Sequence, residues 1–289
     1  MSVCFVMSGG ASLGAIQAGM VRALYERGIA PDVIVGTSVG AINGAYIASR
    51  PADADTADRL ADVWRGVRRQ EVFPFNPATA LIGFAGRRNY AVPNARLRGL
   101  IERELQFERL EDAPIPLHVI AVDLFTGRER RLSAGPATDA ILASAAIPGV
   151  FPPVEWETTD LIDGGVANNT PISHALELGC DRIYVLPTGT ACALPEAPHG
   201  TLGMAVHAMS LLVQHRLSAE LVQLRGDPRI VVLPPPCPIA VQPTDFSRAT
   251  ELIDRGYAEA VEALNRPAEP PSRPLPLRHG HPASARRAA

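Results

Sequence analysis

The sequence predicts a single α/β domain, and three observations carry that expectation. With 289 residues, 47% of them hydrophobic, the chain has ample core material and a length suited to one such unit, which often reaches about 250 residues. Its opening reads strand, helix, strand: the apolar run Val3–Met7, a helical spacing of Ile16, Met20, Val21 and Leu24 that stops at Gly28, then a second strand over 32–35 with the apolar run Val33, Ile34 and Val35. That is the unit from which a parallel strand pair is built. Each of the two strands runs into a glycine-rich turn, Ser8-Gly9-Gly10-Ala11-Ser12-Leu13-Gly14 after the first and Gly36-Thr37-Ser38-Val39-Gly40 after the second.

The remaining elements follow in order. Helices are expected over 41–49 and 55–67, the second with Leu60, Val63, Trp64 and Val67 inward, and another over 94–105. Between them, 68–92 breaks the pattern. Phe73, Phe75, Leu81, Ile82, Phe84 and Tyr90 alternate there with prolines, glycines and Arg68, Arg69, Arg87 and Arg88. Such a segment suits a lid or an interfacial surface, and equally a helix pair covering one end of the sheet.

Strands over 117–123 and 129–132 flank Thr126-Gly127 as a hairpin that extends the sheet. A small-residue helix over 137–146 is stopped by Pro148, and 148–153 reads as irregular loop. Leu161 and Ile162 lead as a short strand into Asp163-Gly164-Gly165. A helix over 171–178 has proline in its first turn. A strand over 182–186, a long helix over 201–224, a last strand over 230–233 and a closing helix over 246–264 complete a domain of residues 1–265. From 266 to 289 the chain is rich in proline and arginine and poor in apolar residues, the composition of a disordered tail.

Composition narrows the function. A net charge of -3 gives no sign of a nucleic-acid partner. The four cysteines, Cys4, Cys180, Cys192 and Cys237, have no metal-binding spacing, so no metal is expected, and reduced thiols suit a cytoplasmic protein. The first ten residues lack the basic start and long apolar stretch of a secretory signal, and no run reaches the roughly 20 apolar residues of a membrane helix. Any lipid is therefore expected to be met at an interface, through transient contact with a membrane surface.

The second turn carries the chemistry. A serine flanked by glycines two before and two after, between a buried strand and a helix, is the pattern of a nucleophile elbow. The tight turn forces strain on Ser38 and brings chain segments too close for side chains at Gly36 and Gly40. It also sets Ser38 at a helix start, where unpaired N–H groups and the positive end of the macrodipole favour a developing anion. The first turn can aim the N–H groups of Gly9, Gly10 and Ala11 at one point, and Val39 offers another donor just after the serine.

Asp163 is the candidate base, with Gly164 and Gly165 leaving room for a neighbouring loop; the bland reading of this Asp-Gly-Gly is a simple turn capped by its own aspartate. The glycines at 9, 10 and 14, with Asp32 about 20 residues on, also approximate a dinucleotide fingerprint. A conventional triad would add a histidine from among His174, His199, His207 and His215.

Taken together, Gly9-Gly10-x-x-x-Gly14, Gly36-Thr37-Ser38-Val39-Gly40, Ala143-Ser144-Ala145-Ala146-Ile147-Pro148 and Asp163-Gly164-Gly165, in this order, resemble the patatin-like phospholipases over roughly residues 3 to 190. The resemblance implies a three-layer α/β/α fold with a mostly parallel central sheet. It implies hydrolysis of lipid acyl esters through a Ser-Asp dyad and an acyl-enzyme, without histidine, metal or cofactor. On that reading Ser38 is the nucleophile, Asp163 the base, and Gly10 and Ala11 oxyanion donors. Two positions depart from the family pattern: Ala11 stands where a third glycine is usual, and Leu13 where an arginine or lysine is usual. Leu13 is the feature that favours a rival, a catalytically silent lipid- or partner-binding module on the same fold.

Overall fold

A computed structural model describes residues 1–74, 89–189, 200–224 and 227–266. The expected tail beyond 266, residues 75–88 of the segment 68–92, His199 and Cys192 lie outside the described residues. The strands are β1 (Val3–Met7), β2 (Val33–Thr37), β3 (Leu117–Asp123), β4 (Glu129–Leu132), β5 (Val154–Trp156), β6 (Thr159–Asp163), β7 (Arg182–Leu186) and β8 (Ile230–Val232). The helices are α1 (Ala15–Tyr25), α2 (Val39–Ala48), α3 (Ala54–Gly66), α4 (Arg69–Val72), α5 (Ala95–Glu104), α6 (Ala137–Ser144), α7 (Gly165–Asn168), α8 (Ile172–Glu177), α9 (Gly200–Gln223) and α10 (Ala249–Asn265). Short 3₁₀ turns span Ala11–Gly14 and Leu110–Asp112.

One eight-stranded sheet runs β5-β6-β3-β2-β1-β7-β8, with β4 paired to β3. Strands β3, β2, β1, β7 and β8 are mutually parallel, and β4, β5 and β6 add antiparallel pairings. The period of two along the strands sends their apolar side chains to two separate cores. Phe5, Met7, Ile34, Leu117 and Val119 join α1, α2, α3 and α10 on one face. Cys4, Val6, Val35, Ile183 and Val185 join α8 and α9 on the other. This is the three-layer α/β/α arrangement.

Register explains where the site forms. Strand β4 pairs with residues 119–122 of β3, β2 with 117–120 and β6 with 121–123. A strand has two edges, so β4 occupies one, and β2 and β6 share the other. They approach head-on: Thr37, the last residue of β2, faces Ile120, and Asp163, the last of β6, faces Ala121. The carboxyl ends of two strands widely separated in sequence thus abut.

Two elements depart from expectation. Val154–Trp156 is a strand, paired with β6 across a turn that holds Glu157 at φ 54°. The turn residues Glu157-Thr158 carry no glycine or asparagine to announce a hairpin. Gly165–Asn168 forms a short helix directly after Asp163. In the segment expected as a lid or helix pair, the described part comprises α4 and Phe73, whose ring stacks on Phe151 at 5.4 Å, while Val92 N–H donates to the Val150 carbonyl at 2.8 Å.

Candidate active site

Ser38 caps α2 with φ 54° and ψ −124°, a conformation that costs an L-residue energy and that the surrounding turn imposes. The close approach expected at the elbow is present. A Cβ on Gly40 would lie 2.1 Å from the Met7 carbonyl oxygen, and one on Gly36 2.7 Å from the Ala41 Cα.

Because β2 and β6 end against each other, the Ser38 hydroxyl donates to Asp163 Oδ2 at 2.8 Å across 125 positions of chain. The other carboxylate oxygen, Oδ1, accepts the N–H of Gly165 at 2.7 Å. Asp163 therefore caps its own turn through one oxygen, as the turn reading has it, and meets the Ser38 hydroxyl through the other. Asp163 is buried, and loss of hydration lifts its carboxyl to about 6, against the lowering effect of the Gly165 N–H and the Ser38 hydroxyl. Gly164 is required here for space: a Cβ would sit 2.3 Å from the Ile120 carbonyl oxygen.

The abutment interrupts the hydrogen-bond ladder along β3, and Ser144 fills the break. Its hydroxyl donates to the Ile120 carbonyl at 2.5 Å and accepts the Ser38 N–H at 2.8 Å, and its own carbonyl accepts the Gly164 N–H at 3.3 Å. Ser144 has no solvent exposure. It lies in the Ala143–Pro148 motif, which the sequence singled out without revealing what this hydroxyl touches.

The loop after β1 brings Gly10 and Ala11 to the same place; both line the cavity that Ser38 and Asp163 share. Among the described residues, the N–H groups of Gly10, Ala11 and Val39 have no protein acceptor. Gly9 differs from expectation. Its N–H donates to the Asn169 carbonyl at 3.1 Å and its carbonyl accepts from Thr188 Oγ1 and Asn169 Nδ2, so it anchors the loop and is not a free donor. Ala11 adopts φ 49°, the left-handed conformation for which glycine is the cheaper residue. Leu13 is buried.

Two cavities meet at Ser38. One, a cavity of about 90 Å³, has walls that are almost wholly apolar, from Val39 and Trp64 through Phe73 and Phe246 to Leu100 and Leu105. The other, of about 110 Å³, is lined by Gly10, Asp163, Asn169, Pro148 and, from α9, Ser210 and Val213.

The dinucleotide reading does not survive the topology. Asp32 precedes β2 and its carboxylate accepts the Val3 N–H at 2.7 Å. That places it at the opposite end of the sheet from the glycine loop, whereas ligands of such folds bind beyond the carboxyl ends of the strands. Of the histidines, His174 pairs with Glu129 at 2.9 Å. Among the described residues the hydrogen bonds of the Asp163 carboxylate go to Ser38 and Gly165. No described helix is long and apolar enough to cross a membrane.

Several known proteins are similar to this chain. Residues 5–176 match the patatin-like phospholipase family. Lysophospholipase NTE1 of Pyricularia oryzae is 27% identical over 293 residues, covering 92% of this chain and 18% of that protein. Lysophospholipase NTE1 of Mycosarcoma maydis is 27% identical over 197 residues, covering 66% of this chain and 10% of its own. This chain thus spans less than a fifth of the length of either relative. Among solved structures, VipD from Legionella pneumophila overlays 91% of this chain and 66% of its own at a TM-score of 0.49 and 14% identity. The family match covers more than half of the sequence and contains both glycine turns, the Ser144 segment and Asp163: the chain belongs to the patatin-like phospholipase family.

Proposed function

We propose that this protein is a serine acyl hydrolase that cleaves lipid carboxyl esters, whether phospholipid, lysophospholipid or acylglycerol, through a Ser38–Asp163 dyad and an acyl-enzyme. The observation that carries the reading is the 2.8 Å bond between Ser38 Oγ and a buried carboxylate beside an apolar cavity that Ser38 lines. The family match and the lysophospholipase names of the relatives support the substrate class.

In the proposed reaction Asp163 takes the Ser38 proton as Oγ attacks the ester carbonyl. A carboxyl lifted to about 6 is a stronger base than an ordinary aspartate, yet still ionised at neutral pH. The oxyanion rests on the N–H groups of Gly10 and Ala11, with Val39 as a third donor, each worth a factor of roughly 10² to 10³ in rate. Asp163 returns the proton to the departing alkoxide and then activates the water that releases the fatty acid. The apolar cavity takes the acyl chain and the second cavity the leaving group. Ser38→Ala and Asp163→Asn should each abolish release of p-nitrophenol from a medium-chain ester; near wild-type turnover in either purified variant would show the dyad to be wrong.

Leu13 favours a second reading, a lipid-binding module without turnover, since no cation stands at that position of the loop. A fluorophosphonate separates the two. The hydrolase becomes labelled at Ser38, and the silent module stays unmodified.

A further inference from the structure

Beneath the glycine loop lies a chain of buried side-chain hydrogen bonds that the dyad does not use. Gln17, in the first turn of α1, donates through Nε2 to the Ser8 carbonyl at 3.0 Å and to the Leu186 carbonyl, at the end of β7, at 2.9 Å. Its Oε1 accepts Asn43 Nδ2 at 2.8 Å. Asn43 lies on α2, five residues after Ser38, and its Nδ2 also donates to the Gly14 carbonyl at 3.0 Å. Its Oδ1 accepts the indole N–H of Trp64, on α3, at 3.0 Å. Gln17 and Asn43 are buried, and every polar atom of both amides is satisfied.

The geometry points to Gln17 and Asn43 as a clamp that positions the oxyanion loop against the nucleophile helix. Ser8 and Gly14 are the two ends of the loop that presents Gly10 and Ala11, and each end is held by one of the two amides. Since the amides bond to each other and Asn43 rides on the helix that Ser38 caps, the clamp fixes one partner of the reaction relative to the other. The amide orientations are dictated: flipping either would set an oxygen against a backbone carbonyl and an N–H against another donor. The inference rests on the proposed hydrolase reading, and it makes Gln17 and Asn43 positioning residues that act through the loop and the helix they join, although Asn43 also lines the apolar cavity. Trp64 links the clamp to the wall of the apolar cavity, which its ring lines.

The test measures oxyanion stabilisation apart from folding. Gln17→Met and Asn43→Leu keep much of the volume and remove the donors. Each should lower kcat for a p-nitrophenyl ester about ten- to a hundredfold per fluorophosphonate-titrated site, the scale of a displaced catalytic group, with KM changed less than threefold. Inhibition by an alkyl trifluoromethyl ketone, whose adduct carries an oxyanion, should weaken by the same factor, while binding of a fatty acid should hold. Because the two amides act as one device, the double variant should lose no more than about threefold beyond the worse single one. Folded variants with wild-type kcat and ketone affinity, or single losses that multiply, would overturn the clamp.

Should the variants fail to fold, hydrogen exchange in the wild-type protein decides. The side-chain NH₂ groups of Gln17 and Asn43 should gain at least about tenfold protection in the ketone adduct, and equal protection would overturn the proposal. A wild-type protein that neither turns over esters nor binds the ketone would instead refute the hydrolase reading itself.

Discussion

The loop after β1 and the elbow after β2 are both glycine-rich strand-to-helix turns, side by side in the sheet, yet they are restrained at opposite groups. In the first, carbonyls are pinned: those of Ser8, Gly9 and Gly14 accept side-chain donors, leaving the Gly10 and Ala11 N–H groups without an acceptor among the described residues. In the second the amide is pinned: the Ser38 N–H is bonded to Ser144 and the hydroxyl is turned toward Asp163. On the proposed reaction, each turn immobilises the groups that the chemistry does not need. The preorganisation that lets backbone dipoles stabilise charge cheaply is therefore built from partners distant in sequence.

The contrast breaks most completely at the dyad, where activity and stability should separate. Asp163→Asn should lose at least about 10³-fold in kcat, since general-base help alone contributes up to about 10⁴, yet fold more stably at pH 8. The folded protein holds the Asp163 proton up to about pH 6, and an unfolded chain releases it near 3.9. Between these values the folded state binds more protons, so stability from this group falls as pH rises, by about 3 kcal/mol at most. The gain from Asn should therefore be full above pH 6 and vanish toward pH 4, measured by denaturant unfolding across pH. The wild-type kcat/KM should rise with pH through an apparent pKa near 6. A variant less stable than wild type at pH 8 would show that the carboxylate holds the site together more than burial opposes it.

Ser144 tests the elbow's pinned amide. Ser144→Ala leaves the Ser38 N–H and the Ile120 carbonyl without their partner, both where water has no access. The cost should be about 2 to 6 kcal/mol of stability, at about 1 to 3 kcal/mol per unsatisfied group. Loss of kcat should be roughly tenfold to a hundredfold as the nucleophile drifts, with an unchanged pH profile because Asp163 is untouched. Ser144→Ala with full kcat per folded molecule would mean that the turn alone suffices to hold Ser38.

What the sequence made legible follows the same division. Ser38 and the glycines stand out because local backbone geometry demands particular residues within a few positions, whereas Asp163, which alone reads as a simple turn, stands out only through the ordered set of motifs that resembles the family. The pins are written elsewhere. Gly9 was expected as a donor because nothing near it signals that the Asn169 carbonyl, 160 positions on, takes its N–H. Ser144 acquires its meaning only once β2 and β6 abut on one edge of β3, a matter of register between strands that no local pattern encodes. Asn43 and Gln17 did leave a trace, each a lone amide in an otherwise apolar stretch of helix, AINGAYI and AIQAGMV, which marks a buried polar partner without naming it. Strand β5 escaped notice because its turn lacks the residues that announce a hairpin.

The smallest effect concerns strain, which both turns carry and which can be compared directly. Ala11 has φ 49° and Ser38 φ 54°, but Ser38 combines it with ψ −124°, outside the left-handed well that an L-residue tolerates best. Ala11→Gly should therefore stabilise by only about 0.5 to 1 kcal/mol, relief of about 1 to 2 kcal/mol less the entropy that glycine loses on folding. The corresponding relief at the elbow is read from Ser38→Gly against Ser38→Ala, both without the hydroxyl, and should be larger, within the 1 to 3 kcal/mol of a strained functional residue. Equal gains would mean that the elbow stores no more strain than the loop, and that Ser144 and the strand ends hold Ser38 in place without opposing a backbone preference. A loss on Ala11→Gly would show that the methyl group restrains the loop more than its conformation costs, which would make that position a further pin.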